Sequence, residues 1–210
     1  MEKLKSSLTN MVCVLVGVAL VMGVALAFVN HITEGPKAEK ATQTLKNGIK
    51  EVMGTDQLNV AEPETVTENI DGKDYEFVIH KATDKNNKPL GAAVESKTLG
   101  FGGDLKILVG FDNDGNILGY TLLQHAETPG LGAKADTWFQ KGQKGDIIGK
   151  SPKEKALTVS KDGGEVDAIT ASTITSRAFL KAVNQAYSVY AKKATDANTG
   201  ATTQTNKKEG

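Results

Sequence analysis

Residues 105–124 read LKILVGFDNDGNILGYTLLQ. Two runs rich in β-formers, Leu105–Phe111 and Ile117–Leu123, flank the turn-forming stretch Asp112-Asn113-Asp114-Gly115-Asn116, a pattern that predicts an antiparallel hairpin. DNDGN also resembles a calcium loop, but the EF-hand spacing of oxygens and its closing glutamate are missing, so the turn is preferred. Upstream, residues 63–96 alternate short apolar runs with turn signals at Asp71-Gly72 and Lys85–Pro89. Downstream, residues 134–148 predict a short helix, a glycine-rich turn and an apolar stretch, with further strands expected before a last helix. That helix is marked by Ile174, Ala178, Phe179, Ala182, Val183, Ala186, Tyr187 and Tyr190 on one face, and its periodicity ends near Lys193. The order of elements predicts a mixed α+β domain.

The N-terminus adds a different feature. Met11 to Val29 contains nineteen residues without a charge, reaching about 28 Å as a helix, close to the roughly 30 Å hydrocarbon thickness of a bilayer. Ala25-Leu26-Ala27 resembles a signal-peptidase site, but the run exceeds the roughly 7–15 residues of a signal h-region, so a retained anchor is expected. Asn10-Met11-Val12 is a poor approach to a lipidated Cys13. Lys3 and Lys5 precede the run, which by the positive-inside rule places residues 1–10 in the cytoplasm and the bulk of the chain outside. The expected organisation is a transmembrane helix at 11–29, a juxtamembrane helix at 30–55, a globular domain at 56–193 and a disordered tail at 194–210.

Composition excludes several classes. The 25 basic residues balance 25 acidic ones, which gives no footprint for nucleic acid. The lone Cys13 provides neither a disulfide framework nor a thiolate cluster. His31 and His80 lie far apart without ligand spacing, so no metal site is expected. Gly100-Phe101-Gly102-Gly103 lacks the G-x-G-x-x-G pattern of a dinucleotide site and suggests a turn. Trp138 and Phe139 are expected in the core.

Chemistry concentrates in DAITASTITS, Asp167–Ser176, where Thr170, Ser172, Thr173, Thr175 and Ser176 crowd the start of the last helix. One hydroxyl suffices for an N-cap. A helix N-terminus also offers unpaired amides and a positive dipole end, which suit a phosphate. A second stretch, HAETPGLGAKAD from His125 to Asp136, places a tight Pro129-Gly130 turn beside a further glycine, letting backbone approach a flat group.

Both stretches resemble motifs of the FMN-binding domains of bacterial respiratory ion pumps, and the resemblance covers roughly residues 90–190. The family's flavinylation motif is Asp-x-x-Ser-Gly-Ala-Thr-x-Thr-Ser, and its threonine, matched by Thr173, carries FMN as a phosphoester. Here Thr170, Ala171 and Ser172 replace Ser, Gly and Ala, and Ile174 fills the variable place. His125, Glu127, Thr128, Pro129, Gly130, Leu131 and Gly132 fit the family's flavin-pocket loop. Within the family the pattern resembles the G-subunit branch of Rnf electron-transport complexes. The C-subunit branch of sodium-pumping NADH:quinone reductases shares the motifs.

The resemblance implies a single transmembrane helix carrying one mixed α+β FMN-binding domain on the extracytoplasmic side. It implies covalent FMN on Thr173, installed from FAD by a separate flavin transferase, with Thr170, Thr175 and Ser176 as candidate phosphate donors. Asp167 is implied in positioning the motif or a transferase-bound metal during loading, Glu127–Gly132 in lining the ring, and Gly100–Gly103 as either a turn or a flavin-side approach. The protein would act as an electron carrier among other membrane subunits of an Rnf-type complex rather than as an independent enzyme. A membrane-anchored scaffold without a redox role, or a flavin reductase outside any pump, are the competing expectations.

Overall fold

In the computed structural model, residues 8–70 and 72–199 are described. The expected tail beyond residue 199 lies outside them, as do Asp71 of the expected first turn and most of the expected cytoplasmic segment. The chain divides into two units, Met1–Thr44 and Leu45–Gly210. The described part of the first is helical. A helix, α1 (Leu8–Met53), covers both the segment expected to span a membrane and that expected as a separate juxtamembrane helix, with Gly35 and Pro36 inside its bounds. Its stretch Asn10–Thr33 is long and apolar enough to cross a bilayer and is fully unburied.

The second unit is built on one antiparallel sheet. Strands β1 (Asn59–Val60) and β2 (Glu64–Ile70) share an edge of β3 (Lys73–Thr83), followed by β4 (Pro89–Leu99), β5 (Asp104–Phe111) and β6 (Ile117–His125). The predicted hairpin is β5–β6. Its turn is held by Asp112, whose Oδ1 accepts from the amides of Asp114 and Asn116 at 2.9 and 2.8 Å. Asn87 and Gly72 take positive φ in the two upstream turns, where asparagine and glycine tolerate it.

Alternation along the strands gives the sheet two buried faces. Leu105, Ile107, Val109 and Phe111 of β5 join Phe77, Ile79, Ala92 and Val94 in the main core, with Phe179, Ala182, Val183 and Ala186 of helix α3 (Thr173–Thr199). Leu108, between them in sequence, faces the other way with Ala82 and Ala93, where Ile49, Val52 and Met53 of α1 pack. That second face demands glycine. Gly110 and Gly119 are paired across β5–β6. A Cβ on Gly110 would lie 2.4 Å from the carbonyl oxygen of Val52, and one on Gly119 would lie 3.0 Å from it. The same face carries a buried pair, His80 and Glu95, joined by the partly exposed Lys106. His80 Nε2 meets Glu95 Oε1 at 2.7 Å and Lys106 Nζ meets Glu95 Oε2 at 2.5 Å. Burial raises the Glu95 carboxyl, but His80 and Lys106 outweigh it and hold the group below its ordinary range.

Two expectations require correction. No strand follows the short helix α2 (Ala135–Trp138) among the described residues; residues 139–172 are irregular, with one 3-10 turn at Ser160–Asp162 and one isolated bridge, Val159 to Val166. Ile147, Val159, Val166 and Ile169 are buried singly as anchors to the core, not as alternating runs. Helix α3 also continues to Thr199, beyond the Lys193 where its apolar face ends. Once nucleated, a helix extends at little cost per residue.

Tyr120 fixes the segment after β6. Its hydroxyl donates to Ala135 O at 2.7 Å and accepts from Phe139 N at 3.1 Å, so α2 is tied to the sheet. Its ring lies edge-on to Phe179, which stacks on Phe139 with centroids 4.3 Å apart. Strands, α2 and α3 therefore share one aromatic cluster. Gly110→Ala is expected to destabilise the second unit by about 1–3 kcal/mol, the range for overpacking, because the Val52 carbonyl is backbone and cannot rotate away. Urea unfolding of the full chain in detergent, followed by near-UV dichroism, measures this.

Candidate functional site

The two stretches singled out in the sequence meet at one carboxylate. Glu127 leaves the end of β6 and turns inward; its amide donates to His125 Nδ1 at 3.3 Å, and its side chain is buried. Oε1 accepts from the amides of Phe101 and Gly102 at 2.8 and 3.2 Å. Oε2 accepts from Thr175 Oγ1 at 2.7 Å, in the first turn of α3. Three segments remote in sequence thus converge: the Gly100–Gly103 loop, the Glu127–Gly132 loop and the start of α3. The approach is close enough to select glycines. A Cβ on Gly100 would lie 2.1 Å from Oε1, and one on Gly132 would lie 2.2 Å from Oε2.

The hydroxyl run divides by role. Ser172 Oγ donates to Thr175 Oγ1 at 2.9 Å, extending the chain from Glu127. Ser176 Oγ donates to Ser172 O at 3.0 Å and accepts from Ile169 N at 2.9 Å. Thr175 and Ser176, expected as phosphate donors, are fully buried and give their hydroxyls to this interior network. Thr170 is exposed. Asp167 is exposed; it accepts from Ser160 Oγ at 3.1 Å, and its carbonyl accepts from Trp138 Nε1 at 2.8 Å. Trp138, expected in the core, is half-buried at its margin.

Thr173, like Thr170, keeps its side chain out of the interior network. It is half-buried, opens α3, and its Oγ1 accepts from Lys161 Nζ at 3.3 Å. The first i→i−4 bond of α3 runs from Ser176 N to Ser172 O, so the amides of Thr173, Ile174 and Thr175 precede it without intrahelical partners. One turn on, Arg177 forms a forked pair with Asp162, with both nitrogen–oxygen distances at 2.7 Å. Lys161 and Asp162 belong to the SKDGG turn, which sequence spacing did not single out; nothing in their local pattern announces a neighbour twelve residues later. Ala171 sits at φ 61°, the left-handed region. The residue preceding the helix cap must bend there, and glycine is the usual occupant. In the other loop, Gly130 takes φ 78° in the open, Leu131 is exposed, and Thr128 O accepts from the amides of Leu131 and Ala133. His125 and Thr128 are both exposed.

A phosphate-bearing flavin fits this donor set. An alcohol stands beside an ammonium group and helix N-terminal amides without intrahelical partners, with the exposed Ile174 next in the chain.

Comparison with known proteins agrees. Residues 100–188 match the family model described as an FMN-binding domain. The G subunit of an ion-translocating oxidoreductase complex from Yersinia pestis is 35% identical over 76% of this chain and 79% of its own. The G subunit of the Na(+)-translocating ferredoxin:NAD(+) oxidoreductase complex of Acetobacterium woodii is 33% identical over 82% of this chain and 86% of its own. The chain belongs to the family of these G subunits. Its fold is shared with the crystal structure of Shewanella oneidensis NqrC, at 16% identity and a TM-score of 0.52 over 79% of this chain and all of that one. Family membership and the unburied stretch Asn10–Thr33 together describe a single-pass membrane protein.

Two substitutions probe the site's construction. Ala171→Gly is expected to raise stability by about 0.5–1 kcal/mol, because removing the left-handed penalty of roughly 1–2 kcal/mol exceeds the added chain entropy. Thermal unfolding reads it. Glu127→Ala is expected to cost about 3 kcal/mol, since two amides and a hydroxyl lose a charged acceptor in the interior. Amide exchange at Phe101 and Gly102 should accelerate in that variant while the β4–β5 ladder stays protected.

Proposed function

We propose that this chain is the flavin-carrying G subunit of an Rnf-type ion-translocating ferredoxin:NAD oxidoreductase, with FMN joined to Thr173 by a phosphoester. The observation that carries this reading is the division of the hydroxyl run. Thr175 and Ser176 are consumed by the interior, whereas Thr173 keeps its oxygen at the surface beside Lys161. Family membership supplies the flavin and the complex.

A flavin transferase loads the site. The Thr173 oxygen attacks the FMN-side phosphorus of FAD; the O–P bond forms as the pyrophosphate bond breaks, AMP leaves, and the hydroxyl proton passes to a base of the transferase. The Lys161 ammonium lies where it offsets the charge of the resulting phosphodiester, and the first-turn amides of α3 donate toward the same place. When bound, FMN supplies a redox centre able to accept and release electrons singly or in pairs. Glu127 holds the two loops and α3 in fixed register around it. The domain faces the extracytoplasmic side, α1 anchors it, and electrons pass between it and the other membrane subunits. Retention by a covalent bond suits that side of the membrane, where a dissociated cofactor is lost.

The test uses the full chain, coexpressed with a flavin transferase, purified in detergent and run on a denaturing gel. Fluorescence is expected on the wild-type and Thr170→Ala bands and absent from Thr173→Ala. Absence of fluorescence from the wild-type band, with the transferase active on a second substrate, would overturn the reading and leave a membrane-anchored scaffold.

A further inference from the structure

Three consecutive side chains of the turn Ser160–Asp162 each address a different position of the segment that opens α3. Ser160 Oγ donates to Asp167 Oδ1 at 3.1 Å, Lys161 Nζ donates to Thr173 Oγ1 at 3.3 Å, and Asp162 accepts the forked pair from Arg177. Arg177 is four residues past Thr173, so the two lie on one side of the helix. The backbone of the turn is itself fixed. Val159 and Val166 are buried and bridged, Ser160 N donates to Val166 O at 2.8 Å, and Gly164 N donates to Val159 O at 3.1 Å.

Lysine is a flexible four-carbon stem ending in a point charge, and on an unrestrained turn its ammonium spreads over many rotamers. The planar guanidinium of Arg177, by contrast, meets both Asp162 oxygens at 2.7 Å and fixes direction as well as distance. An ion pair this exposed does little for folding: Arg177 is 52% and Asp162 38% exposed. Its effect falls on the neighbouring residue. The guanidinium holds the Asp162 carboxyl below its ordinary range, so the carboxylate stays charged and engaged. A carboxylate released from Arg177 would compete with Thr173 for the ammonium of the adjacent Lys161 and would repel an incoming pyrophosphate. Because Lys161 donates to it, the Thr173 oxygen is addressed through a lone pair and not through the proton that the transferase base removes.

Resting on the reading that Thr173 carries the flavin, we propose that Asp162 and Arg177 are positioning residues for the loading reaction. Their fork locks the Ser160–Asp162 turn against α3 and keeps the Lys161 ammonium on the Thr173 oxygen, where the phosphoryl group of FAD arrives. Ser160 and Asp167 form a second hold on the other side of Lys161. As the bond from Thr173 to phosphorus forms and AMP leaves, negative charge builds on the phosphoryl oxygens. A cation already in place meets that charge without rearrangement. Loss of the fork therefore lowers the rate of transfer, not the affinity between the chain and the transferase.

Loading kinetics test this. The full chain in detergent is incubated with a flavin transferase and FAD, and the initial rate of covalent fluorescence on denaturing gels is followed as the chain's concentration varies. Arg177→Gln and Asp162→Asn are each expected to lower the maximal rate about ten- to a hundredfold, the order for an ångström-scale misplacement, with KM for the chain and the thermal unfolding midpoint close to wild type. Lys161→Met is expected to be at least as slow. Adding Arg177→Gln to it is expected to cost nothing further, because the fork acts through the lysine. Wild-type rates in both fork variants, a loss confined to KM, or an Arg177→Gln loss of equal size with and without Lys161 would each overturn the proposal while leaving the attachment intact. A wild-type chain that takes up no flavin, with the transferase active on a second substrate, removes the attachment and this proposal together. If Arg177→Gln fails to fold, Asp162→Asn, which alters only an exposed turn, reads the same fork, alone and combined with Lys161→Met.

Discussion

Glu127 is a buried carboxylate with no lysine, arginine or histidine of the described residues within ion-pair distance. A charge in that position is costly unless hydrogen bonds replace the lost water. Two backbone amides and one hydroxyl do so, and charge-assisted bonds of this kind are roughly twice as strong as neutral ones. Because each donor comes from a different part of the chain than Glu127 itself, satisfying the carboxylate forces three segments together. The arrangement explains why both loops are glycine-rich near it. Side chains at Gly100 and Gly132 would occupy the space the oxygens need.

The sheet supplies the fixed frame for that junction. Glu127 follows β6, Phe101 lies between β4 and β5, and Thr175 lies in the first turn of the helix packed on the main core. Thr98 Oγ1 donates to Ala178 O at 3.0 Å, so β4 is bonded to α3 one turn beyond the hydroxyl network. Tyr120 holds α2 against the same core. A shift of α3 along the sheet breaks the Thr175–Glu127 bond, the Thr98–Ala178 bond and the aromatic stack at once. Cooperative loss of that kind makes a loop-built site as rigid as the elements beneath it.

The sequence made the local pieces legible and hid the long-range ones. Alternation and turn residues disclosed β5–β6 and the two upstream hairpin turns, because strand period and turn chemistry are local properties. The motif around Thr173 and the loop from His125 to Gly132 stood out through resemblance. The division of labour among the hydroxyls did not, since it depends on which way α3 faces its sheet. Thr170, Thr175 and Ser176 look alike in sequence, yet two are interior and one lies in solvent. Lys161 reaches Thr173 across a turn whose composition signals only a bend. Strands expected between α2 and α3 failed because buried single residues in an irregular segment mimic short apolar runs.

The exposure of the apolar residues near Glu127 bears on why the proposed covalent bond would suit this protein. Sites that retain a small molecule by contact alone bury roughly 70–90% or more of its surface in a concave pocket. Leu99, Phe101, Leu131 and Ile174 are instead all exposed. A ring on one face keeps its other face in solvent and within reach of a partner, at the expense of most of the burial that would hold it. The proposed ester at Thr173 would remove that conflict, because tethering converts binding to such a surface into an intramolecular event at high effective concentration. The protein surface would then need only to orient the ring, not to retain it. In the proposed arrangement, access for a partner and retention of the cofactor would fall to different parts of the structure, and Glu127 joins those parts by holding the Phe101 amide and the first turn of α3 on the same carboxylate.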